Sequence, residues 1–85
     1  MPVISRFLGI VIMMYWNDHN PPHFHAKYGE FEVLLSLDGK VLDGKLPNRA
    51  LSLTLEWLAL HRSELAENWE RARRRESLNN IAPLE

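Results

Sequence analysis

Between Ile10 and Trp16 the chain reads IVIMMYW, apolar at every position. A run of this length, with both alternating sets apolar, predicts a central strand covered on both faces. Residues 23–28, HFHAKY, alternate instead. Phe24, Ala26 and Tyr28 fall on one face and His23, His25 and Lys27 on the other, so the first set is expected against the core. Gly29-Glu30 predicts a tight turn into FEVLLSL, where Phe31, Val33, Leu35 and Leu37 share a face. Asp38-Gly39 is the strongest hairpin signal, because a type I′ turn needs positive φ at both central residues. A short strand around Lys40–Leu42 is expected to follow and to end at Asp43-Gly44.

Beyond Pro47 the period changes from two to that of a helix. Asn48 is the expected N-cap of one helix running to about Arg74, since no proline or glycine interrupts that span. Leu51, Leu55, Leu58, Leu65, Trp69 and Ala72 form the stripe expected against the sheet. Leu53, Trp57 and Leu60 point nearly the opposite way, and such a set on a surface helix needs a cover. Two covers are open: the tail SLNNIAPLE, with Leu78, Ile81 and Leu84, or another protein molecule docking on a Trp-centred patch. The whole pattern predicts an α+β domain: a small antiparallel three- or four-stranded β-meander over about residues 3–46, one long C-terminal α-helix packed on one face over about 48–74, and a tail from 76 to 85.

With 85 residues the chain has room for one modest core, so residues 1–85 are read as a single domain. Cysteine is absent, which excludes disulfides and thiolate chemistry and leaves nitrogen and oxygen as the only metal ligands. The longest apolar run is far short of a membrane span and lacks a basic leader, so no membrane association and a cytoplasmic location are expected. Net charge is −1, yet Arg71, Arg73, Arg74 and Arg75 crowd into RARRR. That run is a candidate nucleic-acid contact, or else a solvated cap complementing the helix dipole.

Candidate chemistry concentrates in NDHNPPHFHAKYGE, which holds three of the four histidines. His23 and His25, two apart on a strand, project from one face and can offer two nitrogens to one cation. His19 could add a third if the chain folds back, and Asp18 could ligate through oxygen or orient an imidazole. Asp18, His19, His23 and His25 are therefore the candidate set for a divalent transition metal such as zinc. A second reading makes His23 or His25 a metal-free general acid or base, with Lys27 holding a phosphate and the sheet accepting RNA. A third is purely structural: the same side chains satisfy backbone groups that Asn20-Pro21-Pro22 leaves unpaired. His61 stands alone on the helix, where packing is the expected role.

The opening MPVISRFLGIVI, the central NDHNPPHFHAKYGE and the later GKLPNRALSLTLEWLALHRSELAENW together resemble the bacterial domain-of-unknown-function family 4160. The motif of an acidic residue, a histidine, one variable residue, two prolines and His-Phe-His is present in full as Asp18 to His25. The resemblance implies a small stand-alone bacterial protein, often encoded beside another small domain, and so a two-gene, toxin–antitoxin-like module. It names no reaction. The functional expectation is an interaction component of such a module, using Leu53, Trp57 and Leu60 to self-associate as a homo-oligomer or to bind a small protein encoded nearby. The alternative is a small nuclease or metal-binding protein centred on His19, His23 and His25, for which nucleic acid would be the partner.

Overall fold

Five antiparallel strands and two helices make up the fold, which a computed structural model describes for residues 2–16 and 18–84. In chain order they are β1 (Val3–Phe7), β2 (Ile10–Met13), β3 (His23–Tyr28), β4 (Phe31–Ser36), β5 (Val41–Lys45), α1 (Asn48–Leu60) and α2 (Arg62–Arg73). Spatial order in the sheet equals sequence order, so neighbouring strands are joined by local connections. The expected α+β meander is present, but with five strands rather than three or four and with two helices in place of one.

The unforeseen strand is β1. It turns into β2 at Leu8-Gly9, where φ is 51° and 83°, as a two-residue type I′ hairpin requires. A leucine in the left-handed region costs roughly 1–2 kcal/mol, so residue preference gave no sign of this turn. β5 also differs from expectation: it runs through Asp43-Gly44 instead of ending there. Gly44 (φ +75°) lies so close to β4 that a Cβ would collide with the Glu32 carbonyl. Glycine at this point lets Lys45 pair with Glu32.

Residues paired directly across strands share a face. Phe7, Ile10, Tyr28 and Phe31 form one such row, and Ile12, Ala26 and Val33 the next. The helices cover this face except at its rim, where Tyr28 and Phe31, expected against the core, stay exposed. Trp57 of α1 stacks on Phe7 (5.5 Å) and meets Phe24 edge-on (5.9 Å), with Leu58, Leu65 and Trp69 in the same cluster.

Helical detail departs from the sequence reading in three ways. Asn48 is the first helical residue rather than a cap, because the cap position is Pro47 and no side chain caps the helix. The helix breaks at His61 (φ −123°, ψ 25°) without proline or glycine. There the imidazole packs on Trp57 (5.4 Å) and its Nδ1 meets Glu64 at 2.6 Å. The buried face of α1 is also rotated: Ala50, Thr54, Trp57 and Leu58 are inside, whereas Leu51 and Leu55 are only partly covered.

That rotation corrects the interaction patch. Trp57 is fully buried (0 % exposed), Leu53 is half-buried and only Leu60 (65 %) faces solvent. The tail supplies part of the cover. Trp57 Nε1–H donates to the Ala82 carbonyl (2.9 Å), and Ile81 and Leu84 enter the core. The buried Asn68 amide pairs in both directions with the Asn79 backbone at 2.9 Å, and the Ile81 N–H donates to the Ile4 carbonyl of β1 at 2.8 Å. The chain enters this path through a Schellman closure of α2, in which Glu76 N–H reaches the Arg71 carbonyl and Arg75 adopts φ 60°. Among the described residues no helix is long and apolar enough to cross a membrane.

Trp57 therefore acts as a core residue. Trp57→Ala is expected to lower unfolding free energy by about 3–5 kcal/mol, read by denaturant titration. Wild-type stability in that variant would contradict the burial described.

Candidate metal centre

Pro21 and Pro22 lie between the Asp18-His19 pair and the first residue of β3, and the Asn20–Pro21 peptide is cis. Strand alternation sends Phe24 into the helix-covered core and His23 and His25 to the other side. His23 is nevertheless not on an open face. Trp69 of α2 packs against its ring (5.3 Å), and the side chain is only 3 % exposed. His25 is mostly covered as well, with Tyr15 set edge-on against it at 4.6 Å.

The hydrogen bonds of the two imidazoles define their chemistry. His23 Nδ1 lies 2.7 Å from the Pro21 carbonyl, and His25 Nδ1 lies 3.1 Å from Glu32 Oε2. Both partners only accept, so each Nδ1 carries a hydrogen and donates it. Each Nε2 is thereby left to face Asp18: His23 Nε2 sits 2.9 Å from Oδ2 and His25 Nε2 3.9 Å from the same oxygen. The His25 Nε2 atom is buried and has no hydrogen-bond partner among the described residues.

Two imidazoles oriented through Nδ1–H, with both Nε2 atoms turned toward one carboxylate, match the arrangement in which outer hydrogen bonds fix metal-ligating histidines. One ligand atom from each of Asp18, His23 and His25 can be chosen so that all three lie within 4.8 Å of one another. A four-coordinate ion with nitrogen ligands at 2.0–2.1 Å holds its donors roughly 3.3 Å apart, so a modest inward shift of His25 would close the set. Without an ion, the short His23–Asp18 contact needs a proton between nitrogen and carboxylate. A proton and a metal ion are thus alternative occupants of the same gap.

Asp18 is the hinge of the cluster. Partial burial pushes its carboxyl upward, but the His19 backbone N–H, the His23 charge and hydrogen bond, and the His19 charge together outweigh this and hold it below the ordinary aspartate value. His19 itself stays outside. Its ring is 86 % exposed and touches Asp18 through Nδ1 at 3.1 Å, so the expected four-residue set comes together as three.

The remaining candidates separate. Lys27 is exposed, two residues along β3 from His25 and paired with Val11 and Glu32. The arginine run straddles the carboxyl end of α2, and three of its four members are paired: Arg71 meets Glu67 and Glu76, Arg73 meets Glu70, and Arg74 meets Glu76. Sequence reasoning missed Glu32, because its link to His25 depends on which strands pair.

Comparison with known proteins identifies one family, described as Domain of unknown function (DUF4160), whose match spans residues 9–70 and so most of the chain. Asp18, His23, His25 and Glu32 all lie within that span, whereas residue 6 and the tail lie outside it. No curated protein and no solved structure matches.

Removing Asp18 leaves a buried imidazole N–H without its acceptor. Asp18→Ala is expected to cost about 1–3 kcal/mol near neutral pH. Because the Asp18 carboxyl is held below its ordinary value, this stabilisation is complete above that value and disappears as pH falls through the lowered one. Urea unfolding of both proteins across the acid range checks it. A difference that does not shrink on acidification would break the link to Asp18.

Proposed function

We propose, for a chain that belongs to the family Domain of unknown function (DUF4160), a role as a divalent-transition-metal protein whose ligands are Asp18, His23 and His25. The observation that carries this reading is the pair of Nε2 atoms facing one carboxylate, each on a ring whose Nδ1 is already committed to an acceptor. Two imidazoles and a carboxylate suit zinc and neighbouring ions such as cobalt or nickel. Three protein ligands leave at least one coordination position for water or substrate, the arrangement of a catalytic rather than a closed structural site. Such an ion polarises a bound oxygen or lowers the pKa of its water to about 7.

The competing interaction reading loses its anchor, because Trp57 is inside the core and its indole is bonded to the tail. The purely structural reading accounts for His23, which joins the Pro21 carbonyl to Asp18. It does not account for His25, whose Nε2 is buried and, among the described residues, unbonded.

The test is calorimetric titration of zinc and cobalt into tag-free protein stripped with a chelator. One ion per chain is expected, lost in His25→Gln and retained in His19→Ala. Glu32→Ala, which frees the His25 ring, should weaken affinity about 10–100-fold while leaving the protein folded by circular dichroism. Absence of a stoichiometric ion in the wild type, or unchanged binding in His25→Gln, would refute the proposal.

A further inference from the structure

The sheet face opposite the helices carries a second feature beside the metal cluster. Strand register aligns Arg6, Val11, Lys27, Glu32 and Lys45 in one row that crosses all five strands. Cations therefore stand on β1, β3 and β5, every second strand. Adjacent strands are about 4.8 Å apart, which spreads the three over roughly 19 Å. All three side chains are exposed, and none has an ion-pair partner within 4 Å among the described residues. Glu32, the acid in the row, is turned to His25. Asp43 of β5 lies on this face one row over beside Leu34, and Asp18 reaches the same side of the sheet at His23 and His25, where its carboxylate is engaged by the two rings.

Three cations without an ion pair among the described residues, on a chain of net charge −1, form a local feature. Their linear spread is too long for one phosphate and suits a repeating anion. The row lies two residues along β3 from His25, about 6.6 Å, so a chain following it passes beside the metal cluster.

We propose that this face binds a single-stranded nucleic acid, with Arg6, Lys27 and Lys45 contacting successive parts of its phosphodiester backbone. The cations make the contact by charge, independently of any metal. The metal-dependent part rests on the ligand set proposed above: a bound ion has an open position for a non-bridging phosphate oxygen and tightens binding. Three backbone contacts give a slope of log K against log salt of about −2 for a single strand, and loss of one contact lowers its magnitude by about 0.7.

The experiment is fluorescence anisotropy of labelled single-stranded RNA and DNA oligonucleotides with the full chain, over a salt series, with chelator and with zinc. In chelator, the expected slope is about −2 for the wild type and about −0.7 for the Lys27→Gln/Lys45→Gln double variant. Arg73→Gln/Arg74→Gln, at the end of α2, should behave as wild type. Zinc should tighten wild-type binding and have no effect on His25→Gln.

Unchanged affinity and slope in the lysine variant would overturn the proposal, as would loss confined to the arginine variant. Binding to phosphatidylserine vesicles with none to either oligonucleotide would overturn it too. If zinc changes nothing while the chelator series behaves as expected, the cation row stands and the metal-dependent part of this proposal falls, while the calorimetric titration decides the ligand set by itself. Thermal melting of each variant at the wild-type temperature confirms that only exposed charges were altered.

Discussion

His23 is a buried imidazole with an acceptor on each side, and the site is arranged around that constraint. One nitrogen holds the Pro21 carbonyl and the other holds the Asp18 carboxylate. Those two bonds tie the proline-bearing loop to the start of β3, and Trp69 closes over the ring from α2. Sealing a polar side chain this completely is tolerable only if its nitrogens are satisfied. The loop is therefore set by the same contacts that bring Asp18 within reach of His25. Packing against α2 and the placement of Asp18 beside His25 are met by the same contacts.

The two sheet faces divide the work. Alternation along β3 commits Phe24 and Ala26 to the helices, and the remaining side chains must lie on the other side. That second face is kept polar and charged along the Arg6 to Lys45 row but is covered near His25 and Met13. Covered imidazoles thus lie beside an exposed row of charge, so electrostatic interactions are screened less at the first than at the second.

Much of this was legible in the sequence, and the losses have identifiable causes. The 23–28 and 31–36 strands follow from alternation of apolar and polar positions. A turn does form at Asp38-Gly39, but it is not the type I′ turn expected: only Gly39 takes positive φ (91°), and its N–H donates back to the Ser36 carbonyl. β1 was missed because its hairpin uses Leu8-Gly9, an unfavourable pair for that geometry, and the break at His61 was missed because a side-chain arrangement rather than a helix breaker makes it. Trp57 was misplaced because the buried face of α1 is rotated so that its ring packs on Phe7 and Phe24 of the sheet, which local periodicity does not fix; of the two covers the sequence left open, the tail is the one that contributes. Within the site, the 23/25 spacing revealed the paired histidines. Glu32 and the cation row depend on register across five strands, which hydrophobic pattern alone does not assign.

The last strand bears on how the sheet ends. β5 is exposed along its whole length, with Val41 and Leu42 open to solvent, and a regular strand in that position would be a template for unlimited growth by addition of further chains. Its regularity is broken twice, by the register shift opposite Leu34 and Leu35 and by left-handed Gly44. Such irregularities twist an edge and put its free amides and carbonyls out of step with an incoming strand. The glycine that brings Lys45 into line with Glu32 thus also works against fibre-like stacking, so the irregular edge and the charged row rest on the same residue.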